Sequence, residues 1–294
     1  MKQAAIRNDG VSWEPEPQEA PIERRIIVPD MPFSDYLKSP HTSSTEVRQF
    51  LKSPGHYRFY REFSSESTPS QFLGTLAHCA ALEPARFPDR YALAPQGDRR
   101  TKAGKEAYAE FLAEIGDKQP ITIDQADIAY SIKDALATMP QARSLLYGGD
   151  SSANEVSAFT VDPDTGIRIK ARADIARSDG VLVDLKTTTD ASPHGFARSI
   201  MTFGYHIQAA YYLDAFGPEY TRFAFIAVET KQPFAVGVYW LDEASIELGR
   251  QQYKKALAGI KECTEKGYWP ANYGEQEISV PVWAFYKDEE EAEL

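Results

Sequence analysis

The chain has 294 residues, 43% of them hydrophobic and 12% aromatic, enough to bury a sizeable core in one large domain or two small ones. With 43 acidic against 32 basic residues the formal charge is −11. That charge argues against a sequence-specific repressor or a protein that coats DNA, and leaves room for an enzyme with a local basic groove that must release its substrate.

In chain order, residues 1–33 are rich in Pro and Glu and read as an extended arm. Met1 to Glu16 has no apolar run, so no signal peptide is expected, and no stretch approaches the roughly eighteen apolar residues of a membrane span. Cys79 and Cys263 stand far apart without metal-ligand spacing, which suits a cytoplasmic protein without disulfides. Ser44-Thr45-Glu46 has the form of an N-cap, predicting a helix through Phe50, Leu51 and Tyr57. Apolar spacing predicts helices over Gln71–Leu82, Lys102–Ile115 and Asp124–Met139. Strands follow at Glu155–Val161, Gly166–Ala176 and Gly180–Thr187, then a long helix from Pro193 to Ala215. Arg222–Glu229 and Phe234–Leu241 form a hairpin around Thr230–Pro233, and Asp242 starts a last helix ending near Gly267. The sum is an α/β (α+β) fold, a mixed sheet flanked by helices with a helical N-terminal region. Residues 34–285 form its body and 286–294 a solvated acidic tail.

The chemistry concentrates in the second and third strands. Side chains alternate along a strand, so Asp184 and Lys186 share one face while Val181, Val183 and Leu185 take the other. A turn at Ser178-Asp179-Gly180 places Asp174 directly opposite Asp184. Cross-strand neighbours stand about 5 Å apart at Cβ, and two carboxylates so close are costly unless a cation lies between them. A four-residue loop, Pro163–Gly166, places Glu155 opposite Asp174 in turn; a one-residue slip would send it to the other face. Carboxylates gathered on one sheet face beside a lysine are the machinery of metal-dependent phosphodiester hydrolysis. An Asp and a Lys on a strand face are more usually just solvated, but this strand is apolar enough to be interior, where charges are rare.

Asp174 followed by Asp184-Leu185-Lys186-Thr187-Thr188 resembles the PD-(D/E)xK nuclease signature in its RecB-like form. Gln208-Ala-Ala-Tyr-Tyr212 resembles the Q-x-x-x-Y helix of that group, with Gln208 and Tyr212 on one helix face. Gly74-Thr-Leu-Ala-His78 resembles its G-x-x-x-H helix; alone, His78 would read as a core residue. Ser43–Tyr57, Leu82-Glu-Pro84 and Arg99–Lys105 are similar to RecE-type (exonuclease VIII) enzymes of phages, over roughly residues 34–285. The resemblance implies a restriction-endonuclease-like core. Catalytic roles would fall to Asp174, Asp184, Lys186, Gln208 and Tyr212, and metal contacts to His78, Glu155, Asp174, Asp184 and Leu185. The ion would be Mg²⁺, with Mn²⁺ as a substitute. The implied activity is ATP-independent digestion of the 5′ strand of linear double-stranded DNA by a ring-like oligomer, beside a RecT-like annealing protein. Two cysteines are too few for the iron–sulfur cluster of some relatives, and no P-loop for ATP is present.

Arg168, Lys170 and Arg172 share a strand face by alternation and can guide phosphates towards the metal, or form an ordinary solvated face. Arg99, Arg100, Lys102 and Lys105 are the densest basic cluster, a DNA backbone contact or a solvated helix start. An endonuclease or helicase-associated nuclease on the same core is the nearest rival. A non-catalytic nuclease-fold binding protein is the other, and the joint presence of Asp174, Asp184, Lys186 and Gln208 argues against it.

Overall fold

In the computed structural model, which describes residues 25–63, 67–148 and 153–280, the strand bearing Asp184 and Lys186 lies inside a mixed sheet. The N-terminal half contains β1 (Ile26–Val28), α1 (Phe33–Lys38), β2 (Thr42–Ser43), α2 (Ser44–Lys52), α3 (Pro54–Glu62), α4 (Pro69–Leu82), α5 (Phe87–Arg90), β3 (Tyr91–Leu93), α6 (Lys102–Glu114), β4 (Gln119–Ile121), α7 (Ile123–Thr138) and α8 (Pro140–Tyr147). The second half runs β5 (Ala153–Val161), β6 (Arg168–Ala176), β7 (Val181–Thr188), α9 (Pro193–Phe203), α10 (Tyr205–Phe216), β8 (Arg222–Glu229), β9 (Val236–Trp240) and α11 (Glu243–Lys266).

Local chemistry explains most boundaries. Ser43, not Ser44, caps α2, in a reciprocal capping box with Glu46. The helix predicted to run on to Tyr57 is two helices. Pro54 has no N–H to continue α2, and Ser53 caps a new helix in which Pro54 takes the first turn. The long helix predicted over Pro193–Ala215 is likewise broken, at Gly204 (φ 65°), where the left-handed backbone ends α9 and starts α10. Thr68 with Gln71 and Thr122 with Gln125 make two further capping boxes, for α4 and α7.

The sheet order is β1-β5-β6-β7-β8-β9, with β2 paired to β6. β5–β6 and β8–β9 are antiparallel hairpins, and β7 pairs with β8 in parallel through the α9–α10 crossover. The end of the predicted arm thus docks on the sheet, because β1 pairs with β5. The rest of that arm and the acidic tail lie outside the described residues. One face carries α2, α10 and α11 over Leu182, Ala171, Phe223 and Phe225; the other carries α4, α7 and α8 over Val181, Val183, Leu185 and Ile226. The alternation predicted for β7 therefore holds, with both faces covered. A third cluster joins α4 and α7 to the two-stranded β3–β4 sheet through Leu76, Phe87, Tyr91 and Ile121. Between β3 and β4, α6 buries none of its side chains. Among the described residues no helix is long and apolar enough to cross a membrane.

Candidate active site

The site forms where β6 and β7 part. Their ladder pairs Ala176 with Leu182 and Ile175 with Val183, and Arg177 N–H donates to Val181 O at 3.0 Å across the turn predicted at 178–180. The next level is Asp174 beside Asp184. There Asp174 Oδ2 accepts from Leu185 N–H at 2.7 Å, a side-chain bond in place of a main-chain one. β2 takes the edge of β6 that β7 leaves, pairing with Ile169 and Lys170.

β5 and β6 also keep the predicted register, Asn154 with Ile175 and Val156 with Ala173, so Glu155 stands level with Asp174. The ladder is not slipped by a residue, but Glu155 adopts φ 55°, the left-handed region. Ala173 lies on the α10 face and Ile175 on the α4 face, so the side-chain alternation breaks at Asp174.

His78 enters from α4. Its Nδ1 is 3.5 Å from Asp174 Oδ2 and its Nε2 is 2.7 Å from Leu185 O. One ligand atom each from His78, Glu155 and Asp174 lies within 4.8 Å of the other two. Asp184, 3% exposed, accepts from Gln208 Nε2 at 2.5 Å through Oδ1. Its Oδ2 lies 2.5 Å from Lys186 Nζ. Lys186 is thus the partner of the buried Oδ2, as Gln208 is of Oδ1. Lys186 Nζ also stands 4.8 Å from the centre of the Tyr205 ring. Tyr205, Gln208 and Tyr212 follow helical spacing on α10 and share its sheet-facing side. Tyr205 was missed in the sequence, although the same spacing that linked Gln208 to Tyr212 extends back to it.

Burial raises the Asp184 carboxyl, and Asp174 adds to this while Lys186 opposes it. Burial alone would lower Lys186, but Asp184 more than offsets it and holds the ammonium above its usual range. Burial would likewise lower His78, yet Asp174 brings it up to about 9. Asp174 is depressed despite burial, chiefly by His78. Burial and then Asp184 push Tyr212 up to about 12, so it stays a neutral phenol.

These residues fit a hard divalent cation. An imidazole and two carboxylates converge, the Leu185 carbonyl adds an oxygen acceptor beside them, and Asp184 stands level with Asp174 on the next strand. All five residues expected to touch metal and all five expected to act in catalysis thus meet in one place, although Asp184 is turned towards Lys186 and Gln208.

The basic residues separate. Lys170, 6% exposed, donates to the carbonyls of Tyr36 (2.9 Å), Leu37 (3.4 Å) and Ser39 (2.8 Å). Arg172 is bonded to Glu155, Met31 and Ser157. The expected open row of Arg168, Lys170 and Arg172 therefore does not form, because the segment before α2 covers the last two; Arg168 is half-buried. Arg99, Arg100, Lys102 and Lys105 are exposed at the start of α6. Arg99 stacks on Tyr108 at 3.8 Å, and Arg100 bonds Asp98 at 2.9 Å through its main-chain N–H.

No curated protein matches the chain. Its structure is similar to that of a candidate exonuclease from Eubacterium rectale, with a TM-score of 0.52 and 11% identity over 87% of this chain and 96% of that one. At such identity the likeness speaks for the fold. A phage-related exonuclease from Haemophilus somnus 129PT aligns over 80% of this chain and 99% of its own, with 12% identity and a TM-score of 0.33, too low to weigh in the argument. Residues 43–279 match the family described as PDDEXK-like domain of unknown function (DUF3799), and a match over that much of the chain makes this protein a member of that family.

Proposed function

We propose that this protein is a metal-dependent exonuclease that digests linear double-stranded DNA from its ends without ATP, taking the 5′ strand. The observation that carries this is the convergence of His78, Glu155 and Asp174 within 4.8 Å beside a buried Asp184–Lys186 pair. His78, Glu155 and Asp174 would hold Mg²⁺ or Mn²⁺ with the Leu185 carbonyl and Asp184, and the bound ion supplies Lewis acidity and a water of lowered pKa. Lys186 stays protonated beside Asp184, so it can orient the attacking water and neutralise charge that develops on the phosphate. Gln208 occupies Asp184 Oδ1, which leaves Oδ2 to Lys186 and fixes the carboxylate in place. Tyr205 and Tyr212 wall the pair as neutral phenols and keep bulk water from screening it.

The same reading gives the enzyme a ring-like assembly around DNA and a RecT-like annealing partner, both inherited from the RecE resemblance, and a cytoplasmic setting, which rests on the two unpaired cysteines. The test is digestion of linear and circular duplexes, labelled at the 5′ or 3′ end, with and without Mg²⁺. Mg²⁺-dependent release of 5′ label from linear duplex alone is expected. Cleavage of circular duplex would make the enzyme an endonuclease instead.

A further inference from the structure

Arg172 was a natural candidate for a phosphate contact, yet its side chain is only 10% exposed. Nε donates to Glu155 Oε2 at 2.7 Å; NH1 donates to Met31 O at 2.8 Å and Ser157 Oγ at 3.0 Å. The guanidinium also sits 5.7 Å from the Phe33 ring centre and 5.8 Å from that of Tyr36. It is therefore fixed from three sides by groups that cannot be DNA. Glu155 needs such a partner. Its left-handed backbone is unfavourable for a residue with a Cβ, and its carboxylate lies close to that of Asp174. One oxygen of Glu155 bonds the guanidinium, which orients the group towards His78 and Asp174. Lys170 makes a useful contrast. It ties the same N-terminal segment to the same strand but touches no carboxylate of the site.

We propose that Arg172 is a positioning residue. It aims Glu155 into the cation site and couples the segment Met31–Tyr36 to the metal centre. This rests on the reading of His78, Glu155 and Asp174 as metal ligands. Outer partners of metal ligands are worth about 10–100-fold in metal affinity, and Arg172→Gln should lose that much.

The measurement is Mn²⁺ binding to the full chain by calorimetry, in a Lys186→Ala background and without DNA, with thermal melts of every variant. Arg172→Gln and Glu155→Gln are both expected to weaken Mn²⁺ binding. Arg172→Lys should be intermediate, since an ammonium cannot span Glu155 and Met31 together. Lys170→Met should lower the melting temperature yet bind Mn²⁺ within about twofold of its parent, a range well inside the second-shell effect. If Arg172→Gln does not fold, Arg172→Lys carries the comparison. Mn²⁺ binding by a folded Arg172 variant equal to that of its parent, while Glu155→Gln is weakened, would overturn the proposal and leave the metal centre standing. Absence of Mn²⁺ binding in the parent and the wild type would instead overturn the metal centre itself, and the proposal with it.

Discussion

Asp184 shows how a buried charge is made tolerable here. One oxygen takes the Gln208 amide, and the other faces the Lys186 ammonium. Lys186→Ala should cut turnover by at least about 10²-fold, the scale of losing one charge-stabilising group, with Mn²⁺ affinity changed little because the ligand oxygens remain. Turnover and Mn²⁺ titration on the same preparation check both halves. Gln208→Leu strands Asp184 Oδ1 in the interior and should destabilise the fold by roughly 1–3 kcal/mol, read as a lower urea midpoint. Elsewhere, His41 is held neutral. Burial, then Arg168 and Lys170, lowers it from 6.5 to about 4. The unfolded chain therefore binds the proton more readily, so this group's contribution is present above pH 6.5, declines as pH falls through that value and is gone below about 4. Thermal melts of wild type and His41→Gln across that window should converge as the pH falls. A constant gap would show that His41 does not titrate in this way.

The helix break at Gly204 is the element on which the site hangs. It turns α10 so that Tyr205 and Gln208 reach Lys186 and Asp184. Arg48 braces it from α2, donating to the Phe203 carbonyl, and a Cβ at Gly204 would come within 2.9 Å of Arg48 Cδ. Gly204→Ala should lower stability by about 1–2 kcal/mol from the left-handed backbone alone, and reduce kcat more than it raises KM because Lys186 loses its tyrosine wall. On the far side of α10, Gly249 lets α11 approach, and a Cβ there would lie 2.2 Å from the His206 carbonyl. Neither glycine stands out in the sequence, because a close approach is a property of two elements.

Over the whole molecule the charge is −11, so a path for DNA has to be local. With Lys170 and Arg172 committed to the N-terminal segment, the densest exposed cations are Arg99 and Arg100 just before α6 and Lys102 and Lys105 in its first turn. Arg99→Glu with Arg100→Glu should weaken DNA binding, and the loss should shrink as salt rises, since phosphate contacts are screened. Residual digestion should still respond normally to Mg²⁺, because α6 contributes nothing to the metal cluster. Binding equal to wild type at every salt concentration would leave the cluster a solvated helix start.

The D-x-K strand, the two strands before it and the registers among the three were legible in the sequence because they depend on local rules. Side-chain alternation and turn length relate residues only a few positions apart, which is why Glu155, Asp174 and Asp184 fell at matching levels. The Gln208–Tyr212 spacing was legible for the same reason. Tertiary structure alone decided the remainder. His78 meets the Leu185 carbonyl across 107 positions, and Lys170 meets the Tyr36 carbonyl across 134. A cation on a strand has the same local signature whether water, a phosphate or a distant carbonyl receives it. Only the folded chain shows which acceptor arrives, and for Lys170 and Arg172 it is the chain itself.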